Sequence, residues 1–393
     1  MSDTREFDVI IYGSTGYTGR LVAEYMAQQY GVGKDAPKWA MAGRSLEKLE
    51  EVREIIGAPK DTPLVVADSD DAASIDMMAS RTKVVMTTVG PYQLYGDELV
   101  AACVRNGTDY VDLCGEPGWM REMIDKHQET AKETGAYICF SCGFDSIPFD
   151  LGVLMLQQEM NKRYGKPASR IKGRVRAMEG TFSGGTAASL KETMKAIAKN
   201  PGLVKILASS FGLTPGFEGP DQPNMLIPKY DKAIDSWVAP FVMAPINTKN
   251  VHRTNFLLDF PFGEDFKYDE MVVTSPGDLG KQAAEMVAKA NPFGGDDAPK
   301  PGEGPTKEQR ENGYYDILFL GETADGETAT LCVKGDKDPG YGSTSKMIAE
   351  SALCLAQDKI KKDGGIWTPG ALMGEKLVQR LEDKAGLSFV VES

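Results

Sequence analysis

Three glycines spaced three apart, Gly13, Gly16 and Gly19, interrupt the stretch DVIIYGSTGYTGR at 8–20. An apolar run precedes them and an amphipathic one follows, so the chain must turn sharply there from a strand into a helix. Glycines let the backbone of such a turn come close to a ligand. Its free N–H groups and the positive end of the helix suit a pyrophosphate. The turn Gly13-Ser14-Thr15-Gly16-Tyr17-Thr18-Gly19 is therefore read as the cradle of a dinucleotide. Its GxxGxxG spacing is a variant of the GxGxxG fingerprint, which means most when it sits at the first strand of an alternating domain.

The next strand ends in AMAGRS, 40–45. An acid at that place would receive a ribose 2′-hydroxyl, whereas a cation accommodates a 2′-phosphate. Arg44, Ser45 and Lys48 stand here with no acid before Glu47, so the expected cofactor is NADP, as NADPH. The plainer alternative is a solvated Arg44 beside a helix-capping Ser45. Asp68, closing LVVAD, either accepts from the adenine amino group or is a turn acid.

In TTVGPYQLYG, 87–96, the segment Val89-Gly90-Pro91 is expected to turn toward the nicotinamide ribose. Tyr92 and Tyr95 then lie near the reacting centre or pack on a domain interface. YVDLCGE brings Asp112, Cys114 and Glu116 to the same edge, and CFSCGFDSIPFD brings Cys142, Asp145 and Ser146. The hydroxyls of TFSGGTAAS, Ser183, Thr186 and Ser189, either hold a carbonyl or carboxylate or cap a helix. Only two histidines occur, His127 in a polar helical stretch and His252 beside Arg253 in a charged one. The expected proton donor is thus Tyr92, with Tyr341 of DPGYGSTS second. A lone Cys139-x-x-Cys142 without a second pair predicts no metal site.

These residues need a scaffold that carries strand ends to one crevice. Short apolar strands are expected at 7–12, 39–42, 63–67, 83–89, 109–113 and 136–141, with helices at about 17–30, 45–56, 72–80, 95–106 and 117–134. That alternation predicts a doubly wound parallel sheet of the Rossmann type covered on both faces. Beyond 150 the rhythm changes to a helix at 152–163, a charged strand at 169–182, a helix at 186–199, strand-like NFLLDF and EMVVTS, and a hairpin turning at Asp325-Gly326. The expected organisation is a dinucleotide-binding domain over 1–150, an α+β substrate-binding and dimerisation domain over 151–341, and a helical tail over 342–393.

A chain of 393 residues is long enough for two such cores, with 41% hydrophobic and 26% charged residues as in ordinary globular proteins. A net charge of −13 argues against nucleic acid and anionic membranes as partners. No apolar run is long enough to span a bilayer. The six cysteines lie in apolar contexts, and the amino-terminal segment lacks a charged-then-apolar leader, so a cytoplasmic address is expected.

Taken together, YGSTGYTGR, AGRS, TTVGPY, YVDLCGE, CGFDSIPFDLG, SGGTAAS, PGEGP and DPGYGSTSKMIAESALCLA resemble the saccharopine dehydrogenase-like oxidoreductases, and among them the trans-acting enoyl reductases. The resemblance implies an NAD(P)-binding Rossmann domain and a second domain used for substrate binding and homodimerisation. It also implies a tail that packs back on the first domain, and a substrate near Tyr92, Asp112 and the turn Cys142 to Asp145. Members act on imine-forming amino acids, polyamine precursors or acyl double bonds. With Arg253 and Arg310 the only basic candidates for a carboxylate, the expectation is an uncharged or thioester-bound acyl substrate, delivered free or on a carrier. The alternatives are an imine-reducing dehydrogenase and, from another class, a nucleotide-binding sensor or scaffold without turnover.

Overall fold

The computed structural model describes residues 5–180, 184–290 and 303–392, without the side chains of 184–187 and 190. Strands β1 (Phe7–Tyr12), β2 (Trp39–Gly43), β3 (Leu64–Val66), β4 (Thr82–Thr87), β5 (Asp109–Val111) and β6 (Tyr137–Cys139) alternate with helices. Then come β7 (Arg170–Glu179), β8 (Lys229–Asp231), β9 (Ser236–Pro240), β10 (Lys267–Val273), β11 (Tyr314–Glu322) and β12 (Thr328–Gly335), and the tail adds β13 (Gly365–Trp367) and β14 (Leu387–Val391). The first sheet runs β3-β2-β1-β4-β5-β6-β13 and is parallel throughout. The second, β14-β12-β11-β7-β10-β9-β8, is mixed, with β7 and β10 parallel and the other pairs antiparallel.

Alternation along β1 explains why both faces of the first sheet are covered. Val9 and Ile11 point to one side, where Val84, Met86 and Val111 join them under Met347, Ile348 and Leu353 of the helix Thr344–Gln357. Ile10 and Tyr12 point to the other, with Val85, Leu99, Met120 and Met123 of the helices on that face. The sheet order reverses between β1 and β4, and ligands of such sheets lie in the crevice outside the strand ends at that point. Both the glycine turn after β1 and the Gly90-Pro91 loop after β4 open there.

The tail is not simply helical, because it completes both sheets. Residues 255–260, which look like a strand, are instead the end of a helix, Ala244–Leu257, and the turn after it. This helix packs on Ile147–Tyr164 and on β10 and is buried at every residue from Ile246 to Asn255. Buried all round, it needs no amphipathic stripe, so the usual helical signal is absent. The hairpin β11–β12 lies inside the second sheet, flanked by β7 and β14, so the sheet's open edges are β14 and β8.

Candidate active site

The turn after β1 is shaped by the space its glycines leave. Gly13 has φ +93°, and a Cβ there would lie 2.8 Å from Val89 Cγ2 and 2.9 Å from Thr88 Oγ1. A Cβ on Gly19 would lie 2.0 Å from Gly13 O. Strand and helix therefore meet too closely for any side chain at 13 or 19. Gly16 differs: it is exposed at the N-terminus of the helix Tyr17–Gln29, and an added Cβ would meet only Gly13 O, at 3.3 Å. Among the described residues no side chain caps this helix, so its first N–H groups can serve an outside acceptor. That arrangement fits a dinucleotide pyrophosphate.

Not every residue of the turn is available. Ser14 gives its N–H to Ala42 O at 3.1 Å and its hydroxyl to Ile11 O at 2.7 Å, and it is buried. Ser14 therefore holds the turn and does not face a ligand, contrary to the expectation. The Tyr17 hydroxyl donates to Pro305 O and accepts from Arg310 Nη1 at 3.0 Å, while the Tyr341 ring meets the Tyr17 ring edge-on, 5.2 Å between centroids. Tyr17 thus pins the segment 303–310 beside the turn. Thr15 lies against Gly43 at the end of β2, and Thr18 faces the crevice.

Arg44, the next residue, is exposed, and no hydrogen bond or ion pair engages its side chain among the described residues. Ser45 caps the helix Leu46–Ile55 by accepting from Lys48 N at 3.3 Å, so Lys48 projects from that helix's first turn. Asp68 closes a tight turn, its Oδ1 accepting from Asp70 N at 3.1 Å. An uncommitted guanidinium here should favour NADPH over NADH by about ten- to hundredfold, the worth of one charge-assisted hydrogen bond. Titration of both cofactors checks this, and Arg44→Asp should reverse the order.

A cavity of about 430 Å³ opens beside the Gly90-Pro91 turn, inside the size range of small-molecule sites. Polar side chains in its wall include Thr88, Tyr92, Asp145, Ser189 and Tyr341, and Leu207, Phe241, Met243 and Ile246 of the second domain are among the apolar ones. No Arg, Lys or His side chain is among the wall residues described. Tyr92 is held from several sides. Its N–H donates to Glu116 Oε1 at 2.9 Å, its hydroxyl accepts from Leu113 N at 3.0 Å, and its ring packs on Trp119. Burial pushes the Tyr92 hydroxyl well above its ordinary range, aided by the Asp112 charge.

Glu116, which sequence patterning marks only as one acid among several, ties the domains together. Besides Tyr92 N it accepts from Gln93 N at 3.0 Å, Gln93 Nε2 at 2.9 Å and the Ser189 hydroxyl at 2.8 Å. Val89 borders the glycine turn at Gly13, and Gly90 and Thr88 line the cavity mouth, where the nicotinamide half of a cofactor would enter.

Three expected substrate contacts do not reach the cavity wall. Tyr95 is 41% exposed on the outer side of its short helix. Asp112 is buried and spends its carboxylate on Cys114 N, Ser141 N and the Tyr110 hydroxyl, each at 2.9 Å, which fixes the ends of β5 and β6 together. Burial outweighs those bonds and raises it to about 7. Cys142 is buried with its Sγ 3.6 Å from Cys139 Sγ, facing the core. Asp145, three residues on, does face the cavity, and burial raises it to about 6. Ser183 lies outside the described residues, as does the side chain of Thr186.

The two arginines named as candidates for a carboxylate are committed elsewhere. Arg253 is buried and donates to Leu213 O at 2.5 Å and Ile366 O at 2.7 Å. Arg310 stacks over Tyr17 and donates to Pro305 O at 2.8 Å.

A parallel sheet with a glycine turn fit for a pyrophosphate, an exposed Arg44 after β2 and a cavity lined from both domains agree with a two-domain, NADP-binding oxidoreductase. The chain belongs to the saccharopine dehydrogenase-like family. The profile of the saccharopine dehydrogenase NADP binding domain matches residues 9–139. A Mycobacterium tuberculosis protein named "Putative trans-acting enoyl reductase Rv2449c" is 39% identical, over 98% of this chain and 97% of that one. The Mycobacterium leprae protein named "Trans-acting enoyl reductase" is 34% identical over 96% of each. Among solved structures, apo saccharopine dehydrogenase (L-Glu forming) from Saccharomyces cerevisiae superposes with a TM-score of 0.56 at 13% identity, covering 98% of this chain and 100% of that one, which speaks for the fold. No helix among the described residues is long and apolar enough to cross a membrane.

Proposed function

We propose that the chain is an NADPH-dependent reductase of an activated carbon–carbon double bond in an uncharged acyl substrate, of the enoyl thioester type. The observation that carries this is the cavity wall, mostly apolar and without a cation among its described residues. A substrate with two amino-acid carboxylates would leave its charges unpaired there, which burial makes costly. An acyl chain would lie against Leu207, Phe241, Met243 and Ile246 with its double bond toward Thr88 and Gly90. NADPH, when bound, supplies the hydride, and the residues of the site supply orientation and a proton. The names of the relatives support the same substrate class. Purified protein should oxidise NADPH with enoyl thioesters, either free or carrier-bound. Oxidation only with mixtures of amino acids and aldehydes would overturn the reading in favour of imine reduction.

We also propose a homodimer formed through the second domain. With the hairpin covered, the available edges are β14, where Val390 is half exposed, and the short β8. Open strand edges are common pairing surfaces across a two-fold axis. Light scattering at micromolar concentration should give twice the chain mass, and a monomer mass would refute the dimer.

A further inference from the structure

We propose that Asp145, and not Tyr92 or Tyr341, is the acid that protonates the substrate; this rests on the reductase reading above. The first ground is placement. The Asp145 carboxyl faces the cavity at the end of β6, and a Cβ built on the neighbouring wall residue Gly115 would lie 3.5 Å from its Oδ2. The second is that nothing among the described residues holds its charged form. Among the described residues the Asp145 side chain accepts no hydrogen bond and meets no cation. The other buried carboxyls nearby each accept at least one hydrogen bond: Asp112 from three donors, Glu116 from four, Asp150 from the Thr254 hydroxyl and Gly370 N, and Glu270 from Asn247 Nδ2. Asp145 alone among these is left to the cavity.

Its position just before the helix Ile147–Tyr164 would ordinarily stabilise a carboxylate, since free N–H groups gather at helix N-termini. Here they are spent on backbone oxygens. Ser146 N donates to Ser141 O at 3.0 Å, Ile147 N to Gly143 O at 2.9 Å, and Phe149 N and Asp150 N to Ser146 O at 3.1 and 2.9 Å. Residue 148 is proline and has no N–H to offer. The titratable groups that act on this region are also unhelpful to an anion. Glu270 of β10 is buried, with its Oε1 unpaired, and burial pushes it well above the ordinary carboxyl range. The Cys114 thiol, from the loop after β5, is pushed up in the same way. Burial raises Asp145 to about 6, toward the range where a general acid works best.

In the reduction, hydride delivered to the β-carbon of the enoyl thioester moves the double-bond electrons toward the α-carbon and carbonyl. The Asp145 O–H bond then breaks, a C–H bond forms at the α-carbon, and the carboxylate regains its proton from water. The double bond gains one hydride and one proton, and NADPH leaves as NADP+. Tyr92, whose hydroxyl oxygen already accepts from Leu113 N, shapes the wall beside this step.

The test has two arms. In the first, which needs neither cofactor nor substrate, infrared difference spectra of wild type against Asp145→Asn are taken across pH. A protonated-carboxyl band that disappears with a midpoint near 6 is expected, and a midpoint near the ordinary aspartate value of about 4 overturns the proposal. In the second, turnover of an enoyl thioester is followed. Asp145→Asn should lower kcat by about 10²–10⁴-fold, abolish the fall in rate as pH rises through the acid's pKa, and leave NADPH affinity unchanged. Full turnover in Asp145→Asn, with the loss appearing in Tyr92→Phe or Tyr341→Phe instead, overturns it. If wild type turns over no enoyl thioester, the substrate reading fails, and the infrared midpoint still decides whether Asp145 is held as an acid.

Discussion

Gly16→Val should abolish measurable NADPH binding while leaving the protein folded. At this position an added side chain would meet only Gly13 O, at 3.3 Å, and would project outward from the helix end. The apo fold need give by only a few tenths of an ångström to hold that Cβ. A pyrophosphate approaching the same N–H groups would be obstructed by the side chain. Losing two charge-assisted hydrogen bonds at about 1.5–3 kcal/mol each weakens binding by roughly two to four orders of magnitude. Calorimetric titration with circular dichroism as the control for folding measures both halves. Full affinity in a folded variant would move the phosphate site elsewhere. The neighbouring Gly19→Val should behave differently, because any Cβ there collides with Gly13 O at 2.0 Å and the turn itself must shift.

A second large effect is expected far from the cavity. Arg253 joins three segments: its own helix, the Leu213 carbonyl of the second domain, and the Ile366 carbonyl in β13 of the first sheet. Burial and the charge of Arg121 lower its pKa to about 9, which still leaves the guanidinium charged at neutral pH. Arg253→Met preserves much of the volume but leaves two buried carbonyls without donors. At about 1–3 kcal/mol for each orphaned group, the protein should lose about 2–6 kcal/mol of stability. Urea unfolding followed by tryptophan fluorescence reports it. A loss under about 1 kcal/mol would mean that water replaces the guanidinium, at little cost.

These two residues show what a sequence can and cannot disclose. The glycine turn was legible because its requirement is local: a strand, a turn without side chains and a helix follow one another within a few residues. The first six strands were legible for a related reason, since burial on both faces makes each a continuous apolar run bounded by turns. Arg253 looked like a possible carboxylate receptor, because its sequence neighbours are polar and nothing local says that the whole helix is enclosed. The same enclosure hid the helix Ala244–Leu257 itself.

At the strand ends, residue type identified the right loops but not the direction in which each side chain points. Asp112 and Asp145 are equally plausible as acids on paper. They part company because three donors converge on the first and the helix beside the second has already spent its own. Such assignments depend on groups from distant segments, as with Ser189 on Glu116, and only the folded chain brings them together.

The weaving of the tail into both sheets bears on how the protein is made. On the ribosome, the residues of β1 to β6 emerge early, yet the helix Thr344–Gln357 that covers one face of their sheet, and β13 that closes its edge, emerge among the last. Until then that face is only partly covered, by Val22, Ala23 and Met26 of the helix Tyr17–Gln29, and β6 has an open edge. The nascent chain must wait as a half-built layer, exposed to aggregation or held by chaperones, before its dinucleotide-binding half can close.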